Sequence, residues 1–357
     1  MHRGLLDPGQ LLMVGIPGPT LDRPTRRSLL EIGPSGVILF RRNVQNPRQL
    51  GRLCAAIHRL RPDVLVAIDH EGGRVNRLPP PFTAFPPAAA LGKAGSQRLA
   101  FAAGQAMGRE LASVGIDLDF APVLDVLTHP SNRVIGDRSL GSDPGLVSRL
   151  GLAFARGLRS AGVIPCGKHF PGHGASRGDS HIVLPRVSQS SREIMRTHVA
   201  PFRDAVAAGI PCLMTAHVVY RSLDSTQAAS LSPRILGRLL RRRLKYRGLI
   251  VSDDIEMAAL SRHMPPEEAA VRAVAAGTDV LLVCNSLDIA GRVRRGLQQA
   301  LASGQLPMAR AREALGRIGR LRHPRGAHPR IRRWPVAAHA ALAKAIESFS
   351  EASTHSA

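Results

Sequence analysis

The chain has 357 residues, enough for one large barrel or two ordinary domains, and its apolar fraction of 44% is typical of a globular protein. No stretch approaches a transmembrane span, and an N-terminal segment broken by Asp7, Pro8 and Gly9 does not predict a signal peptide. Arginine dominates the net charge of +23. An aromatic fraction of only 3%, with no nucleic-acid-binding motif, favours solvated arginine-rich helix faces over specific nucleic-acid binding.

Strand-like and helix-like runs alternate along nearly the whole chain. Eight strands are predicted at residues 11–15, 36–40, 64–69, 117–126, 163–166, 212–219, 248–252 and 279–284. Helices are predicted at residues 47–60, 96–114, 146–160, 191–208, 287–302 and 308–321, with another starting at the Ser232-Pro233 cap.

Eight strand–helix units with apolar strands predict a parallel sheet closed as a single (β/α)₈ TIM-type barrel over residues 1–321. A doubly wound open sheet is the alternative, but no glycine-rich dinucleotide turn follows an early strand. Residues 322–357 form a basic, polar C-terminal tail that we expect to be partly disordered, with one short helix at 337–349.

The four cysteines lie far apart, mostly in apolar runs: Cys54, Cys166, Cys212 and Cys284. This spacing indicates reduced, buried thiols rather than a disulfide framework or a metal site. We therefore expect a cytoplasmic protein.

Polar side chains follow the predicted strands at their carboxyl ends, where the ends of a barrel's strands converge on one face. They are Asp69, Asp125, Lys168, His169, His217 and Asp253. Structural charges have no reason to choose the same end of several strands, so this pattern indicates a site.

The run KHFPGHGASRGDSHIVLP at residues 168–185 is a polar, glycine-rich loop in this interpretation. His169 and His173 are four residues apart, as in helical zinc sites, but the intervening proline and glycine exclude the helix that this spacing requires. Metal binding is thus disfavoured.

In Asp179-Ser180-His181, alternation places a carboxylate and an imidazole on one side of an extended loop, so Asp179 could fix the tautomer of His181 for proton transfer. A solvated surface loop is the alternative.

Taken together, the motifs resemble the barrel domain of the family-3 glycoside hydrolases over residues 11–321. They are IDHEGGRVNRL, DFAPVLDV with VIGDRSLG, KHFPGHG with DSH, LMTAHV, and GLIVSDDIEMAAL. The DSH segment points to the β-N-acetylglucosaminidase branch, the cytoplasmic enzymes of peptidoglycan recycling. His70 departs from the glutamine usual in the first motif, and we expect it to point away from the site.

The resemblance implies a retaining exo-enzyme that removes N-acetylglucosamine from muropeptides of the GlcNAc-1,6-anhydroMurNAc type, without metal or cofactor. It implies that Asp253 is the nucleophile, that His181 is the acid/base and that Asp179 is the partner of His181. Five further residues match positions that hold the sugar: Asp69, Arg77, Arg138, Lys168 and His169. We expect a monomer that binds a small carbohydrate, with no specific nucleic-acid and no membrane partner.

Three alternatives remain open. A histidine acid/base repels phosphate less than a carboxylate does, so phosphorolysis could replace hydrolysis. The same barrel could have β-glucosidase or β-xylosidase specificity, although the DSH segment and the lack of a second domain argue against it. A non-catalytic sugar or nucleic-acid binder would lack the nucleophile or the loop histidine, and both are present.

Overall fold

The computed structural model describes residues 6–176, 184–321, 331 and 333–352 of the chain. Its strands, in chain order, are β1 (Leu12–Gly15), β2 (Gly36–Leu39), β3 (Leu65–Ile68), β4 (Leu118–Asp119), β5 (Ile164–Phe170), β6 (Arg186–Val187), β7 (Cys212–Thr215), β8 (Val219–Tyr220), β9 (Leu249–Asp254) and β10 (Val280–Val283). Eight of them form a closed parallel barrel in the order β1-β2-β3-β4-β5-β7-β9-β10, while β6 and β8 form a separate two-stranded sheet. The predicted single (β/α)₈ TIM-type barrel is confirmed.

Helices surround the barrel, as apolar parallel strands require. They are α1 (Arg23–Ile32), α2 (Pro47–Leu60), α3 (Ala88–Ala94), α4 (Gln97–Ser113), α5 (Pro144–Ser160), α6 (Ser191–Glu193), α7 (Ala200–Ala207), α8 (Ala258–Ser261), α9 (Pro266–Ala276), α10 (Leu287–Ala302), α11 (Met308–Leu321) and α12 (Ala337–Ala352). In the described part of the chain no helix is long and apolar enough to cross a membrane.

The helix predicted at residues 191–208 is not continuous. Between α6 and α7 lies a π-helical turn, Ile194–His198, in which the Val199 amide donates to Ile194 O at 2.9 Å. Pro201 explains the widening, because a proline in a helix has no N–H to donate and its ring clashes with the carbonyl four residues earlier. The helix predicted after Ser232 and Pro233 is also π-helical, at Arg234–Arg243.

Two strand predictions need correction because their lengths decide where site residues lie. The fourth strand is predicted to reach residue 126 but ends at Asp119, since Pro122 cannot donate to a ladder. The chain still runs beside β5, with the Lys168 amide bonded to Pro122 O at 3.1 Å. The fifth strand is predicted to end at residue 166 but reaches Phe170, so Lys168 and His169 lie on a strand and not in a loop.

Close helix packing on one side of the barrel depends on glycine. A Cβ on Gly104 of α4 would lie 2.2 Å from Phe154 O, and a Cβ on Gly157 of α5 would lie 2.2 Å from Phe101 O. Any side chain at either position would push α4 and α5 apart. All four cysteines are buried free thiols, which confirms the predicted reduced core thiols.

The helix predicted within the tail is present as α12. It packs on α3 and α4, and its Ala343 and Ile346 side chains are buried. Residues 322–330 lie outside the described residues, so the division of the chain at residue 321 stays a prediction.

Candidate active site

A cavity of about 650 Å³ opens at the carboxyl ends of the barrel strands, a size suited to a small-molecule ligand. Its walls include every predicted site residue that the structure describes: Asp69, Arg77, Arg138, Lys168, His169 and Asp253. Asp179 and His181 lie outside the described residues. The convergence expected from the strand ends therefore holds for four of the six strand-end residues: Asp69, Lys168, His169 and Asp253.

Lys168 is a buried cation that lines the cavity, with only 2% of its side chain exposed. Its Nζ donates to Asp69 Oδ1 at 2.6 Å and lies 2.5 Å from Glu71 Oε1. Burial alone would lower the pKa of Lys168, but the carboxylates of Asp69 and Glu71 raise it above its ordinary value. The lysine is therefore charged and fixed between two acids.

Glu71 is a site residue that the sequence interpretation missed. Arg138 donates two hydrogen bonds to its carboxylate, from Nε to Oε2 and from Nη2 to Oε1, both 2.8 Å long. Burial would raise the pKa of Glu71, yet the charges of Lys168 and Arg138 hold it well below its ordinary value. The only sequence signal was its place two residues after Asp69 in the same motif.

Asp125 orients His169 from behind the cavity. Its Oδ2 lies 2.7 Å from His169 Nδ1, and its Oδ1 accepts the His173 amide at 2.6 Å. Arg138 Nη2 lies 3.3 Å from His169 Nε2. Because a guanidinium can only donate, Nε2 is assigned as the acceptor and Nδ1 as the protonated nitrogen. Burial would raise the pKa of Asp125, but His169 and His173 lower it. Asp125 was predicted among the strand-end residues that indicate a site, but no role was assigned to it.

His173 anchors the start of the loop that leaves β5. Its Nδ1 lies 2.7 Å from Ser176 Oγ, and its backbone carbonyl accepts Asn132 Nδ2 at 2.9 Å. Burial, with a further effect of His169, lowers the pKa of His173 to about 4, so its ring is neutral near pH 7. Across the described residues, no three His, Cys, Asp or Glu side chains are grouped to hold a metal ion.

The two adjacent aspartates at the end of β9 both border the cavity but differ in their contacts. Asp253 Oδ1 accepts the backbone amide of Asp254 at 2.9 Å. Burial would raise the pKa of Asp253, but His217 and His169 lower it below the ordinary value. His217 is itself held at Nδ1 by Ser230 Oγ (2.7 Å) and at Nε2 by Asp254 O (3.1 Å).

Asp254 instead binds the end of β10. Its Oδ1 accepts the amides of Glu256 (3.1 Å) and Cys284 (3.3 Å), and its Oδ2 accepts Asn285 Nδ2 at 3.2 Å. Burial, followed by the charge of Glu256, raises the pKa of Asp254 to about 7. The site therefore holds one ionised carboxyl group, Asp253, and one, Asp254, that is engaged in structural hydrogen bonds.

Arg77 forms part of the cavity wall beside Phe40, with its guanidinium carbon 5.8 Å from the ring centroid. Its Nε is buried and has no hydrogen-bond partner among the described residues. Arg77 therefore borders the cavity as a cation whose buried Nε is not fixed by a hydrogen bond from the described residues. His70 is fully buried beneath this wall and does not line the cavity, in line with the expectation that it points away.

Comparisons with known proteins agree with this geometry. The sequence matches the family model described as glycosyl hydrolase family 3 N terminal domain over residues 7–321. A β-hexosaminidase of Methylococcus capsulatus is 41% identical over 294 residues, 82% of this chain and 87% of that protein. One from Pseudomonas aeruginosa is 42% identical over 277 residues, 77% of this chain and 82% of that protein.

Two solved structures are also similar. A glycoside hydrolase family 3 β-N-acetylglucosaminidase from Paenibacillus sp. str. FPU-7 superposes with a TM-score of 0.93 at 36% identity, covering 97% of this chain and 68% of that one. NagZ from Neisseria gonorrhoeae, solved with N-trifluoroacetyl-D-glucosamine, gives a TM-score of 0.82 at 35% identity, covering 95% and 98% of the two chains.

Proposed function

The chain belongs to glycosyl hydrolase family 3 and is a β-N-acetylhexosaminidase, and we propose that it is a retaining exo-enzyme acting on peptidoglycan-derived muropeptides. It would release terminal non-reducing N-acetylglucosamine from substrates of the GlcNAc-1,6-anhydroMurNAc type. The relatives' name and the N-acetylglucosamine analogue in the Neisseria gonorrhoeae structure support the sugar. We further propose that it acts as a cytoplasmic monomer with a single catalytic barrel, residues 1–321.

The main support for this proposal is the difference between the two carboxyl groups at the end of β9, those of Asp253 and Asp254. A nucleophile must be ionised, must face the substrate and must be free to form a bond. Asp253 meets these needs because its pKa is lowered and it borders the cavity. Asp254 instead accepts hydrogen bonds from the Glu256 and Cys284 amides and from Asn285, and has a pKa of about 7. Asp253 is therefore assigned the attack on the anomeric carbon, forming a glycosyl–aspartate ester as the leaving oxygen takes a proton.

We assign sugar binding to the buried charge cluster formed by Asp69, Glu71, Arg138 and Lys168. Asp69 retains 18% exposure beside Lys168 and can accept a hydroxyl hydrogen while the lysine donates to the same hydroxyl. Arg138 and His169 also line the cavity, and the Arg77 guanidinium adds a further cation to its lining. Because ion pairs fix these groups before the substrate arrives, little ordering is required on binding.

The acid/base is assigned to His181, with Asp179 as its partner, on the sequence motif alone. The described histidines of the cavity are poor candidates. His169 is engaged at both ring nitrogens, by Asp125 and Arg138, and His173 has a pKa of about 4. The proton for the leaving oxygen must therefore come from another residue, and an imidazole can serve as that donor near neutral pH. The same group would deprotonate water in the second step, which cleaves the ester with overall retention.

Cations at the cavity rim support a muropeptide over a neutral chitin fragment. Arg133 is exposed and lines the cavity, as does the partly exposed Arg77. A carboxylate of the leaving group, on its lactyl group or at the end of an attached peptide, would lie beside these cations, where guanidinium groups favour anions.

The proposal is tested by comparing 4-nitrophenyl β-N-acetylglucosaminide with the β-glucoside and β-xyloside, and then GlcNAc-1,6-anhydroMurNAc with chitobiose. We expect the N-acetylglucosaminide and the muropeptide to be preferred, with the β-anomer of N-acetylglucosamine formed first by NMR. Preference for the glucoside would overturn the specificity. Formation of a sugar 1-phosphate in phosphate buffer would replace hydrolysis by phosphorolysis.

A further inference from the structure

The C-terminal helix α12 lies beyond the part of the chain that the family model covers, which ends at residue 321. Yet α12 packs firmly on α3 and α4, with Ile346 fully buried. Just before α12, the Trp334 ring meets Phe82 edge to face, with a centroid distance of 4.7 Å. Phe82 belongs to the loop between β3 and α3, the same loop that begins with Asp69 and Glu71.

A buried polar cluster joins α12 to this loop. Glu110 of α4 is fully buried, and its Oε1 lies 2.8 Å from His339 Nδ1 of α12. The same carboxylate accepts Thr83 Oγ1 at 2.6 Å and the Thr83 amide at 3.0 Å. A buried carboxylate is stable only when its oxygens are bonded, so Glu110 requires both His339 and Thr83 in place.

From Thr83 the contacts continue directly to the cavity wall. Two residues further on, Phe85 O accepts the Gly73 amide at 2.9 Å, and a Cβ on Gly72 would lie 2.5 Å from Pro86 O. The segment therefore rests on the glycine turn with no space between them. That turn is closed by the Glu71 amide bonded to Val75 O at 3.0 Å.

The charges that act on His70 indicate that the Glu110–His339–Thr83 cluster and the active site belong to one buried region. Burial lowers the pKa of His70 to about 4, while the Glu110 carboxylate opposes this shift and the Arg77 guanidinium reinforces it. His70 thus lies within the field of both the α4 carboxylate and a residue of the cavity wall.

We propose that α12 positions the sugar-binding half of the active site: His339, through Glu110 and Thr83, holds the β3–α3 loop that carries Glu71 and Arg77. His339 is a positioning residue, since it touches neither the cavity nor Asp253. The inference rests on the proposed function for its kinetic readout, but its structural readout is independent of activity.

The order of strands in the barrel predicts that loss of His339 affects sugar binding and not the nucleophile. β9, which carries Asp253, stands four strands away from β3 in either direction around the eight-stranded barrel. Loosening the β3–α3 loop should weaken sugar binding and leave the attacking carboxylate in place. We expect His339→Ala to raise KM for 4-nitrophenyl β-N-acetylglucosaminide roughly 3- to 10-fold, with kcat within about twofold of wild type.

Matched variants separate positioning from general damage. His339→Gln keeps a side-chain N–H for Glu110 and should recover most of the wild-type KM. Thr83→Val removes only the hydroxyl and should raise KM in the same direction. Lys344→Ala, an exposed site on the same helix, should change nothing. If His339→Ala fails to fold, the glutamine and Thr83 variants still decide the outcome.

Hydrogen–deuterium exchange gives the second readout. In His339→Ala, amides of residues 70–87 should exchange faster, while those of β9 should not change. Wild-type KM together with wild-type exchange in residues 70–87 would overturn the inference and leave α12 as surface packing. If the wild-type protein cleaves no β-N-acetylglucosaminide, the proposed function fails, and the exchange experiment alone decides the role of α12.

Discussion

Replacing Glu71 with glutamine tests whether the charge cluster is as tightly coupled as its geometry indicates. Glu71 Oε1 pairs with Lys168 Nζ and accepts a hydrogen bond from Arg138 Nη2, and Oε2 accepts one from Arg138 Nε. Glutamine has the same shape, but its NH₂ group must face one of these donors, so even the better orientation of the amide leaves Arg138 Nε without its acceptor. Glu71→Gln therefore leaves a buried cation facing another donor instead of removing the pair cleanly.

The expected cost is large for a single isosteric change. Removing one partner of a buried ion pair typically costs about 3–5 kcal/mol. An unfolding entropy of about 2.1 cal/mol/K per residue gives about 0.7 kcal/mol/K for 357 residues, so Tm should fall by about 4–7 °C. Asp137→Asn is the matched control, because it breaks the Arg74–Asp137 pair, whose side chains are 46% and 45% exposed. Its cost should be below about 1 kcal/mol.

The pH dependence of this difference checks its electrostatic origin. The folded-state pKa of Glu71 lies below its ordinary value, so its stabilisation is fully present above about pH 4.3 and is lost as pH falls through the folded-state pKa. The Tm gap between wild type and Glu71→Gln, measured by calorimetry, should be constant from about pH 6 to 8 and should narrow below about pH 4. A Tm loss no larger than that of Asp137→Asn would refute the coupling.

Three further predictions concern the chemistry and the charged surface. Asp253→Ala should abolish turnover with the fold intact by circular dichroism, whereas activity in that variant and none in Asp254→Ala would reverse the assignment. The arginine-rich surface should retain DNA only at low salt, and tight binding at physiological salt would contradict this. His181→Ala should impair substrates with poor leaving groups far more than aryl glycosides, and azide should restore part of its activity because an anion needs no general base. Asp179→Asn should impair the same steps less, and an equal loss on all substrates without azide rescue would leave His181 only a loop-shaping role.

The barrel and most of its site could be predicted because both follow from local patterns. Apolar runs alternating with helices predict parallel strands, and parallel strands in a barrel end on one face. Asp69, Lys168 and Asp253 are far apart in sequence, yet each lies at or near the carboxyl end of a strand, so the fold alone brings them to one cavity.

What the sequence could not predict depends on side-chain contacts between distant segments. The role of Glu71 becomes visible only when Lys168 and Arg138 are seen to share it. Likewise, Lys168 looked like the start of a loop because glycine and proline follow it closely. Hydrogen bonds from β7 and from the segment after β4 extend the strand to Phe170 despite that composition. Tertiary pairing overrode local propensity here.

The arrangement of these residues around the barrel links the proposals. Asp253 is held by β9 and its own neighbours, whereas Glu71 and Arg77 lie on the β3–α3 loop, on the opposite side of the barrel. Because the strands between them are rigid and buried, a change that displaces the loop need not displace the nucleophile. Binding and bond cleavage can then be altered separately, so variants near α12 should act on KM, and variants at β9 should act on kcat.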